Sequence, residues 1–380
     1  RLEQALQLLQ LDPLFSRVQA ELKAGTTPGR SVLTLNLTEA NPLEAGYLLD
    51  NRESPSVGSV RNNAIFSHQN LLGLGDRLSA EAGFTQGVNS YAVNYDIPLN
   101  ARNGTLNLQY SRSRQTVIEE PFAPLDLNSN TQTISLGFRQ PLTLTPTNEF
   151  ALGLSADLRR SRTFIGDIPF SFTTGPENGR SQVTVLRFSQ DWVERGQQRV
   201  LAARSQFSLG LDALGATVND TGTDGRFFSW VGQFQWVQSL GNNVVSIARV
   251  ATQLTGDSLL PLEQFSIGGI DTVRGYRQNQ RVGDSGIVGN FEVRFPVVNK
   301  PDGIGLIQIV PFFDIGTIWN NSSEDTNSNT LLSTGLGLRW QVGSYFEARL
   351  DWGIPLKHIS QPGDTLQDNG IFFSIRLNPF

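Results

Sequence analysis

The sequence predicts an all-β protein, specifically a transmembrane barrel of about sixteen antiparallel strands. Two observations predict this fold. From residue 43 onward, apolar and polar side chains alternate with a period of two, which is typical of strands with two different faces. The connections between these strands alternate between long and short, as they do when a barrel carries its long loops at one end.

The alternation recurs along the chain, and no helical segment interrupts it. Clear examples are Leu78, Ala80, Ala82 and Phe84; Phe150, Leu152, Leu154, Ala156 and Leu158; and Phe346, Ala348, Leu350, Trp352 and Ile354. A soluble sandwich would bury such apolar faces against each other, whereas a membrane barrel turns them outward to lipid around a polar lumen. The tryptophans of the later strands, Trp230, Trp236, Trp340 and Trp352, mostly fall on the outward phase.

Connection lengths favour the barrel over the sandwich. Long connections are expected at roughly 116–130, 162–180, 213–226, 255–284, 320–330 and 357–369, and short ones at 144–148, 194–198, 240–243 and 341–344. Around residues 182–192 and 200–211 both faces carry apolar side chains. These strands either border a packed plug inside the barrel or depart from the expected register.

Composition excludes several other classes of protein. With 37 Gly, 23 Phe and 6 Trp among 380 residues, the chain is not disordered, and no segment approaches the length of a transmembrane helix. A net charge of −5 argues against a nucleic-acid partner, and the lack of Cys excludes disulfides and thiol catalysis. Because there is no Met, we expect that a signal sequence has been removed and that further upstream sequence is missing.

Residues 1–40 read differently from the barrel, which we assign to residues 41–380. Helical spacing near the start is followed by two predicted strands, 14–22 and 31–38, around a turn at 25–29. A helix and a hairpin are too small to fold alone, so this segment is interpreted as the C-terminal part of a larger α+β module.

Three motifs single out a site. Val273-Arg274-Gly275-Tyr276 lies in the longest loop, at about 255–286, which is the sixth on the long-loop side of the barrel and is called the sixth loop below. Phe312-Phe313-Asp314-Ile315-Gly316 lies on the thirteenth strand. Strand phase points Asp314 into the lumen, together with Phe312 and Gly316, which share its phase. Gly289-Asn290-Phe291-Glu292 on the twelfth strand points Glu292 inward too. A loop that folds down the lumen would bring Arg274 to both carboxylates.

The alternative for Arg274 is a solvated loop arginine, and for Asp314 and Glu292 ordinary lumen charges. Gly275 can adopt a positive φ, which allows a narrow loop tip, and Tyr276 would pack against the wall and donate a hydrogen bond. An exposed Arg–Asp contact in a wet lumen would contribute about 1 kcal/mol, and a bidentate, dehydrated one more. No nucleophile or base accompanies the carboxylates, so a catalytic pair is not favoured.

With these three motifs in this order, the chain resembles the Omp85 superfamily of outer-membrane transporters and insertases. The hallmarks are V-R-G-[FY] in the sixth loop, F-x-D-x-G on strand thirteen and G-x-x-E on strand twelve. Further stretches resemble its two-partner-secretion (TpsB, hemolysin-activation) branch: 50–52, 70–76, 95–99 and 209–216. The resemblance implies that residues 1–40 are the end of a periplasmic POTRA domain. It leaves open how many POTRA domains lie upstream.

The resemblance implies an outer-membrane protein translocator that exports an unfolded exoprotein (TpsA-like) through its lumen, with an Omp85-type insertase as the alternative. It implies no enzymatic activity, no cofactor and no metal, and His68 and His358 lack identifiable partners for a metal site. The expected partners are the exoprotein, outer-membrane lipids and the barrel assembly machinery for the chain's own insertion. The barrel is expected to be monomeric, and its terminal Phe380 is expected to be recognised by that machinery. A passive porin would lack both the POTRA segment and the loop motif.

Overall fold

The computed structural model describes residues 2–27, 29–220, 222–321, 329–359 and 363–378. These residues contain one α-helix, α1 (Leu2–Gln10), two short 3-10 helices (Pro55–Val57 and Ala123–Leu125) and 21 strands. The strands up to the fourth long loop are β1 (Phe15–Ala24), β2 (Ser31–Glu39), β3 (Leu43–Asp50), β4 (Arg61–Gln69), β5 (Arg77–Phe84), β6 (Val88–Pro98), β7 (Thr105–Thr116), β8 (Leu127–Leu144), β9 (Asn148–Ile165) and β10 (Ile168–Pro169). The remainder are β11 (Arg180–Arg195), β12 (Arg199–Leu211), β13 (Phe228–Gly241), β14 (Val244–Thr255), β15 (Phe265–Ile267), β16 (Arg281–Gly283), β17 (Ser285–Lys300), β18 (Gly305–Trp319), β19 (Thr330–Val342), β20 (Phe346–Pro355) and β21 (Ile371–Leu377).

The long strands close into an antiparallel barrel, which confirms the predicted fold. In the described part of the chain sixteen long strands form it, β3–β9, β11–β14 and β17–β21, each paired with its sequence neighbours. The longest, β8 and β9, have 18 residues each and exceed the roughly 9–11 residues needed to cross a bilayer. The twelfth and thirteenth barrel strands are β17 and β18. No helix in the described ranges is long and apolar enough to span a membrane.

Side-chain exposure follows the predicted phase. On β18, Phe313 and Ile315 are exposed on the outer face, while Asp314 between them is fully buried. Trp236, Trp340 and Trp352 are exposed on outer faces as well. The barrel therefore carries an apolar exterior around a polar interior, as the alternation predicts.

Two connections depart from the simple long and short alternation. The second loop on the long-loop side is only residues 85–87, whereas residues 70–76 on the short-turn side form an extended loop. The longer turn is ordered by Asp76, whose carboxylate accepts hydrogen bonds from the Leu72 amide at 2.9 Å and the Tyr95 hydroxyl at 2.8 Å. These contacts give Asp76 and Tyr95 a shared structural role, which is to hold this turn against β6.

Of the two strands with apolar side chains on both faces, β11 keeps its register and borders a packed loop. β11 pairs continuously with β9 from Arg180 to Glu194, so no slip occurs there. Its inward residues Val183 and Val185 are fully buried against Leu259 and Leu260 from the sixth loop. Both faces of β11 are apolar because one meets the exterior and the other a loop packed inside the barrel.

The N-terminal segment contains the predicted helix and hairpin. β1 and β2 pair in one register from Arg17↔Thr38 to Ala24↔Ser31, and α1 packs on β1. Pro28 in the predicted turn lies outside the described residues. The identification of residues 1–40 with a POTRA domain stays a prediction, as does the role of Phe380, which also lies outside the described residues.

The barrel seam is short. The alternating sequence pattern predicts a first strand over residues 44–53 and a last strand over 371–380, of which residues 379 and 380 lie outside the described part of the chain. In the structure β3 ends at Asp50 and β21 at Leu377. Their ladder runs only from Ser374↔Asp50 to Leu377↔Tyr47. Beyond it Asn51 continues the seam through both its backbone and its side chain. Its backbone N–H donates to the Phe373 carbonyl at 3.3 Å. Its side-chain oxygen accepts from the Phe373 N–H at 2.8 Å, and its side-chain amide group donates to the Ile371 carbonyl at 2.9 Å. The closing edge is satisfied partly by a side chain.

Candidate functional site: the sixth loop inside the barrel

The sixth loop, residues 256–284, forms a hairpin that lies inside the barrel. β15 and β16 pair antiparallel through Phe265↔Gly283 and Ile267↔Arg281. An apolar cluster attaches the hairpin to the inner wall; it contains Ile267, Val273 and Tyr276 from the loop and Val288, Ile318 and Leu331 from β17, β18 and β19. The tip between β15 and β16, which carries the V-R-G-Y motif, is therefore held against the wall rather than in solvent.

Arg274 at the tip binds Asp314 of β18 through two parallel contacts. Its Nε lies 2.7 Å from Asp314 Oδ2, and its Nη2 lies 2.8 Å from Oδ1. The Arg274 backbone N–H donates to the same carboxylate at 3.1 Å, and the Asn290 side chain donates at 2.9 Å. Four donors therefore satisfy the aspartate, and the bidentate geometry fixes the orientation of the guanidinium.

Further groups surround the guanidinium. Its Nη1 donates to Glu292 Oε2 at 3.1 Å and lies 3.8 Å from Asp351 Oδ1. Its carbon lies 3.5 Å from the centroid of the Phe312 ring, a cation–π arrangement. Asp351 on β20 is a partner that sequence reasoning missed, because nothing in its own strand distinguishes it from other inward charges.

The carboxylates around Arg274 are shared with arginines of the barrel wall. Arg294 binds Glu292 at 2.7 Å, and Arg339 binds Asp351 at 2.8 Å. Arg349 also contacts Asp351. The loop arginine thus completes a network in which charges of opposite sign alternate across β17–β20.

The Arg274–Asp314 contact is shielded from water, unlike an ion pair in a water-filled lumen. The Arg274 side chain is 3% exposed and that of Asp314 is 0% exposed. Removal of one partner of a buried ion pair leaves an uncompensated charge, which costs about 3–5 kcal/mol. The exposed-pair value of about 1 kcal/mol therefore does not apply at this site.

Two of the motif glycines have a steric reason to be glycine. Gly275 has φ +91°, and a Cβ there would lie 2.9 Å from the Gly353 carbonyl carbon on β20. A Cβ on Gly316 would lie 3.0 Å from Val273 Cγ2. At Gly289 an added Cβ would make only ordinary contact with Ile315, so the structure gives no steric reason for that glycine.

Tyr276 packs against the inner wall of the barrel, where the sequence predicted it. The ring is 2% exposed, within the apolar cluster. Its hydroxyl oxygen lies 2.9 Å from the Leu332 carbonyl and 2.8 Å from the Lys357 carbonyl, and it accepts from the Lys357 amide at 3.2 Å. The loop tip is thereby joined to β19 and to the start of the eighth loop.

A second anchor, missed at the sequence level, holds the loop to the opposite wall. Glu263 binds Arg159 of β9 at 2.8 Å and Arg187 of β11 at 2.8 Å, and its side chain is 6% exposed. Arg187 also binds Asp157 at 2.6 Å. The inward phase of the two arginines was a usable signal, but nothing in the loop sequence marked Glu263.

A third contact joins the sixth loop to the other long loops. Arg277 binds Asp368 of the eighth loop through both Nε and Nη2, the latter at 2.9 Å, and Glu119 of the third loop at 2.8 Å. Hydrogen bonding to Asp368 raises the pKa of Arg277. Burial alone would raise the pKa of Asp368, but hydrogen bonds from Arg277 and Thr365 outweigh it and lower that pKa.

The side of the lumen away from the hairpin tip is polar and open. A cavity of about 410 Å³ lies along the inner faces of β7–β12. Its lining includes Gln109, Ser135, Ser155, Ser189 and Gln206, with charged groups such as Arg139 and Asp191. Hydroxyl and amide side chains can exchange hydrogen bonds with a passing polypeptide backbone without binding any one sequence.

The fold and the lumen site define a transmembrane β-barrel with a loop packed inside its pore. Residues 29–340 match the family described as haemolysin secretion/activation protein ShlB/FhaC/HecB, and the chain belongs to that family. The protein is located in the outer membrane.

Two curated relatives are outer membrane transporters named CdiB. The protein from Dickeya dadantii is 21% identical over 89% of this chain and 62% of its own length. The one from Escherichia coli is 25% identical over 89% of this chain and 58% of its own length. The chain therefore spans about three fifths of the length of these relatives.

Solved structures share the fold. CdiB from Escherichia coli superposes with a TM-score of 0.83 at 21% identity, covering 99% of this chain and 70% of that one. BamA from Haemophilus ducreyi lacking POTRA domains 1–3 gives a TM-score of 0.66 at 15% identity, covering 99% and 78%. The likeness to CdiB is the stronger of the two.

Proposed function

We propose that this chain forms the outer-membrane channel of a two-partner secretion system and passes an unfolded exoprotein outward through its lumen. Family membership and the likeness to the CdiB transporters support this assignment. The observation that carries it is the Arg274 site, a buried anchor at the tip of a loop that lies inside the pore. The chain acts as a conduit and catalyses no reaction.

In this mechanism the sixth loop obstructs the lumen at rest. The exoprotein passes along the polar cavity lined by β7–β12, and the loop tip gives way when the Arg274 contacts open. Val273 and Tyr276 pack the tip against the wall, and Gly275 permits the turn. The wall that receives the tip is formed by Phe312, Asp314, Gly316 and Glu292. Gly289, which the sequence assigned to this wall, instead shares the outward phase of Ile287 and Phe291 on β17. Folding of the exoprotein outside supplies direction.

The N-terminal segment is proposed to be the end of a periplasmic POTRA domain. We propose that an edge of the complete POTRA sheet, to which β1 and β2 contribute, accepts an extended segment of the exoprotein by β-augmentation. The long loops then face the exterior of the cell.

We further propose that the barrel is monomeric and depends on the barrel assembly machinery for its insertion.

The test is secretion by Arg274→Ala. We expect exoprotein in the medium to fall at least about tenfold. Removal of the arginine leaves Asp314 as an uncompensated buried charge, which costs about 3–5 kcal/mol, and leaves the loop without a fixed resting position. The measurement is immunodetection of a co-expressed candidate exoprotein in medium and cells, with heat-modifiable gel mobility to show an inserted barrel.

Two variants control this experiment. Arg102→Ala removes an exposed arginine from a short turn and should secrete normally. Arg274→Lys keeps the charge but cannot form the bidentate contact, so its secretion should fall between the two. Normal secretion by Arg274→Ala would contradict the proposed role of the loop anchor.

A second candidate is an insertase that helps other barrels fold. The observation in its favour is the short seam, since β21 and β3 pair only from Ser374↔Asp50 to Leu377↔Tyr47. A weak seam could open toward lipid, whereas a secreted chain would pass through the lumen and leave the seam closed.

A further inference from the structure

Five arginines project from the outer face of the barrel on three strands. They are Arg112 and Arg114 on β7, Arg160 and Arg162 on β9, and Arg180 on β11. Register aligns them into two rows across the sheet, Arg114–Asn130–Arg162–Arg180 and Arg112–Gln132–Arg160. We call these five residues the outer arginine face.

The outer arginine face borders the apolar exterior at the long-loop end. The next row toward the middle of the barrel is Tyr110–Ile134–Leu158, and the row after that is Leu108–Leu136–Ala156. Tyr110, Ile134 and Leu136 are exposed on the outer face. The arginines therefore lie where the hydrocarbon of a membrane gives way to its headgroups.

These arginines are not paired with acidic side chains in the part of the chain that the structure describes. In the described ranges none of the five forms an ion pair, whereas the lumen arginines such as Arg187 and Arg339 do. Two of them donate long hydrogen bonds to neutral side chains, Arg112 to Asn130 at 3.4 Å and Arg180 to Gln182 at 3.4 Å. A dense positive patch on a chain of net charge −5 is stabilised when anions bind it.

A cavity adjoins the upper row. It has a volume of about 510 Å³ and lies between the fourth and fifth loops, with Arg162 and Arg180 in its lining. Phe164, Pro169, Ala216 and Val218 supply apolar surface, and Glu177 is its one carboxylate. Guanidinium groups beside apolar surface suit a ligand with both an anionic group and hydrocarbon.

The fifth loop forms one wall of this cavity because it folds over the outside of β11. Thr184 donates to the Ala213 carbonyl at 2.8 Å, and Gln182 donates to the Leu214 carbonyl. Gln182 and Thr184 share the outward phase of Arg180 but are buried by this loop. The cavity is thus a built feature of the outer surface, separate from the lumen.

We propose that the outer arginine face binds the phosphates of a phosphorylated glycolipid of the outer leaflet, of the lipid A type. The planar guanidinium forms two parallel hydrogen bonds to phosphate, and the acyl chains would lie on the apolar rows below. The proposal rests on the orientation given under Proposed function, in which the long loops face outward.

The test compares lipids on the purified full chain. Binding of lipid A and of lipid A lacking both phosphates is measured by native mass spectrometry in detergent. The test variant is Arg114→Gln/Arg162→Gln/Arg180→Gln. The control variant Arg17→Gln/Arg30→Gln/Arg102→Gln removes the same charge from exposed positions in the N-terminal segment and in the short turn after β6. We expect wild type and control to prefer the phosphorylated lipid about tenfold or more, and the test variant to lose that preference.

Several results would overturn the proposal. These are an unchanged preference in the test variant, equal binding of both lipids by wild type, or displacement of lipid A by inorganic phosphate at equal concentration. If the triple variant does not fold, Arg180→Gln should still lower the preference about threefold. Arg274→Ala should keep the full preference, so a failed secretion hypothesis and a failed lipid hypothesis give different results.

Discussion

At the scale of single residues, Asp314 is stable as a buried charge because every nearby donor points at it. Two guanidinium nitrogens, one backbone N–H and the Asn290 amide replace the water it loses. Phe312 covers the guanidinium face and keeps solvent away. The stability of this site therefore depends on a complete set of partners, and loss of any one leaves a desolvated polar group.

Reversal of the charge at Asp314 should release the loop tip. In Asp314→Arg, two guanidinium groups would face each other where water is excluded, so we expect the tip to leave the wall and single-channel conductance to change. The measurement is conductance in planar bilayers. Asp364→Arg makes the same reversal at an exposed position of the eighth loop and should conduct like wild type. Unchanged conductance in a correctly inserted Asp314→Arg barrel would refute the pairing.

At the scale of the element, the sixth loop is held by two anchors of opposite sign on opposite walls. Glu263 near its beginning meets the arginines of β9 and β11, and Arg274 at its tip meets the acids of β17 and β18. A shift of the loop toward either wall breaks the contact with the other. The two anchors together fix its position across the lumen.

We expect Glu263→Gln to loosen the first part of the loop while the Arg274 contacts persist. A charged hydrogen bond contributes about 1.5–3 kcal/mol, so amide exchange at residues 258–264 should accelerate about tenfold or more. Hydrogen–deuterium exchange of the purified barrel measures this. Glu120→Gln in the third loop is the matched control, and equal protection of residues 258–264 in both variants would exclude the second anchor.

The contact between the sixth and eighth loops should depend on pH through Asp368. Because the pKa of Asp368 is lowered in the folded protein, the pair stabilises the loops fully above the ordinary carboxyl pKa of about 3.9. That contribution is lost as the pH falls through the lowered pKa, while Arg277 stays charged.

Channel noise should therefore be constant from pH 7 to 5 and increase below about pH 4 in wild type. Asp368→Asn, which has no titrating group there, should be noisy throughout and show a smaller change with pH. Planar-bilayer recordings at pH 7, 5 and 3 test this, and an identical pH response in both proteins would count against the pair.

At the scale of the whole molecule, the barrel closes through a short ladder extended by Asn51. A cysteine pair in this seam, Leu49→Cys/Ile375→Cys, uses two residues that lie opposite each other in a chain without native cysteine. If substrate passes through the lumen, oxidation should leave secretion unchanged. An insertase that opens at the seam would lose activity on oxidation and regain it on reduction; the reduced protein and both single variants are the controls.

Sequence alone determined the strands, their inward and outward faces and the loop that enters the barrel. These features depend on local alternation and turn chemistry. The sequence is therefore sufficient to assign Asp314 and Glu292 to the lumen and Arg274 to the sixth loop. The resemblance of three motifs then connected the three residues.

Only the tertiary structure decided how those residues are partnered and how dry the site is. Asp351 and the Glu263–Arg159 contact join positions far apart in sequence, and their proximity depends on strand register and loop packing around the whole barrel. The same holds for the seam, where the Asn51 side chain adds hydrogen bonds to the end of the backbone ladder. Periodicity reports which face a side chain occupies, whereas burial and partners depend on what the rest of the chain places against that face.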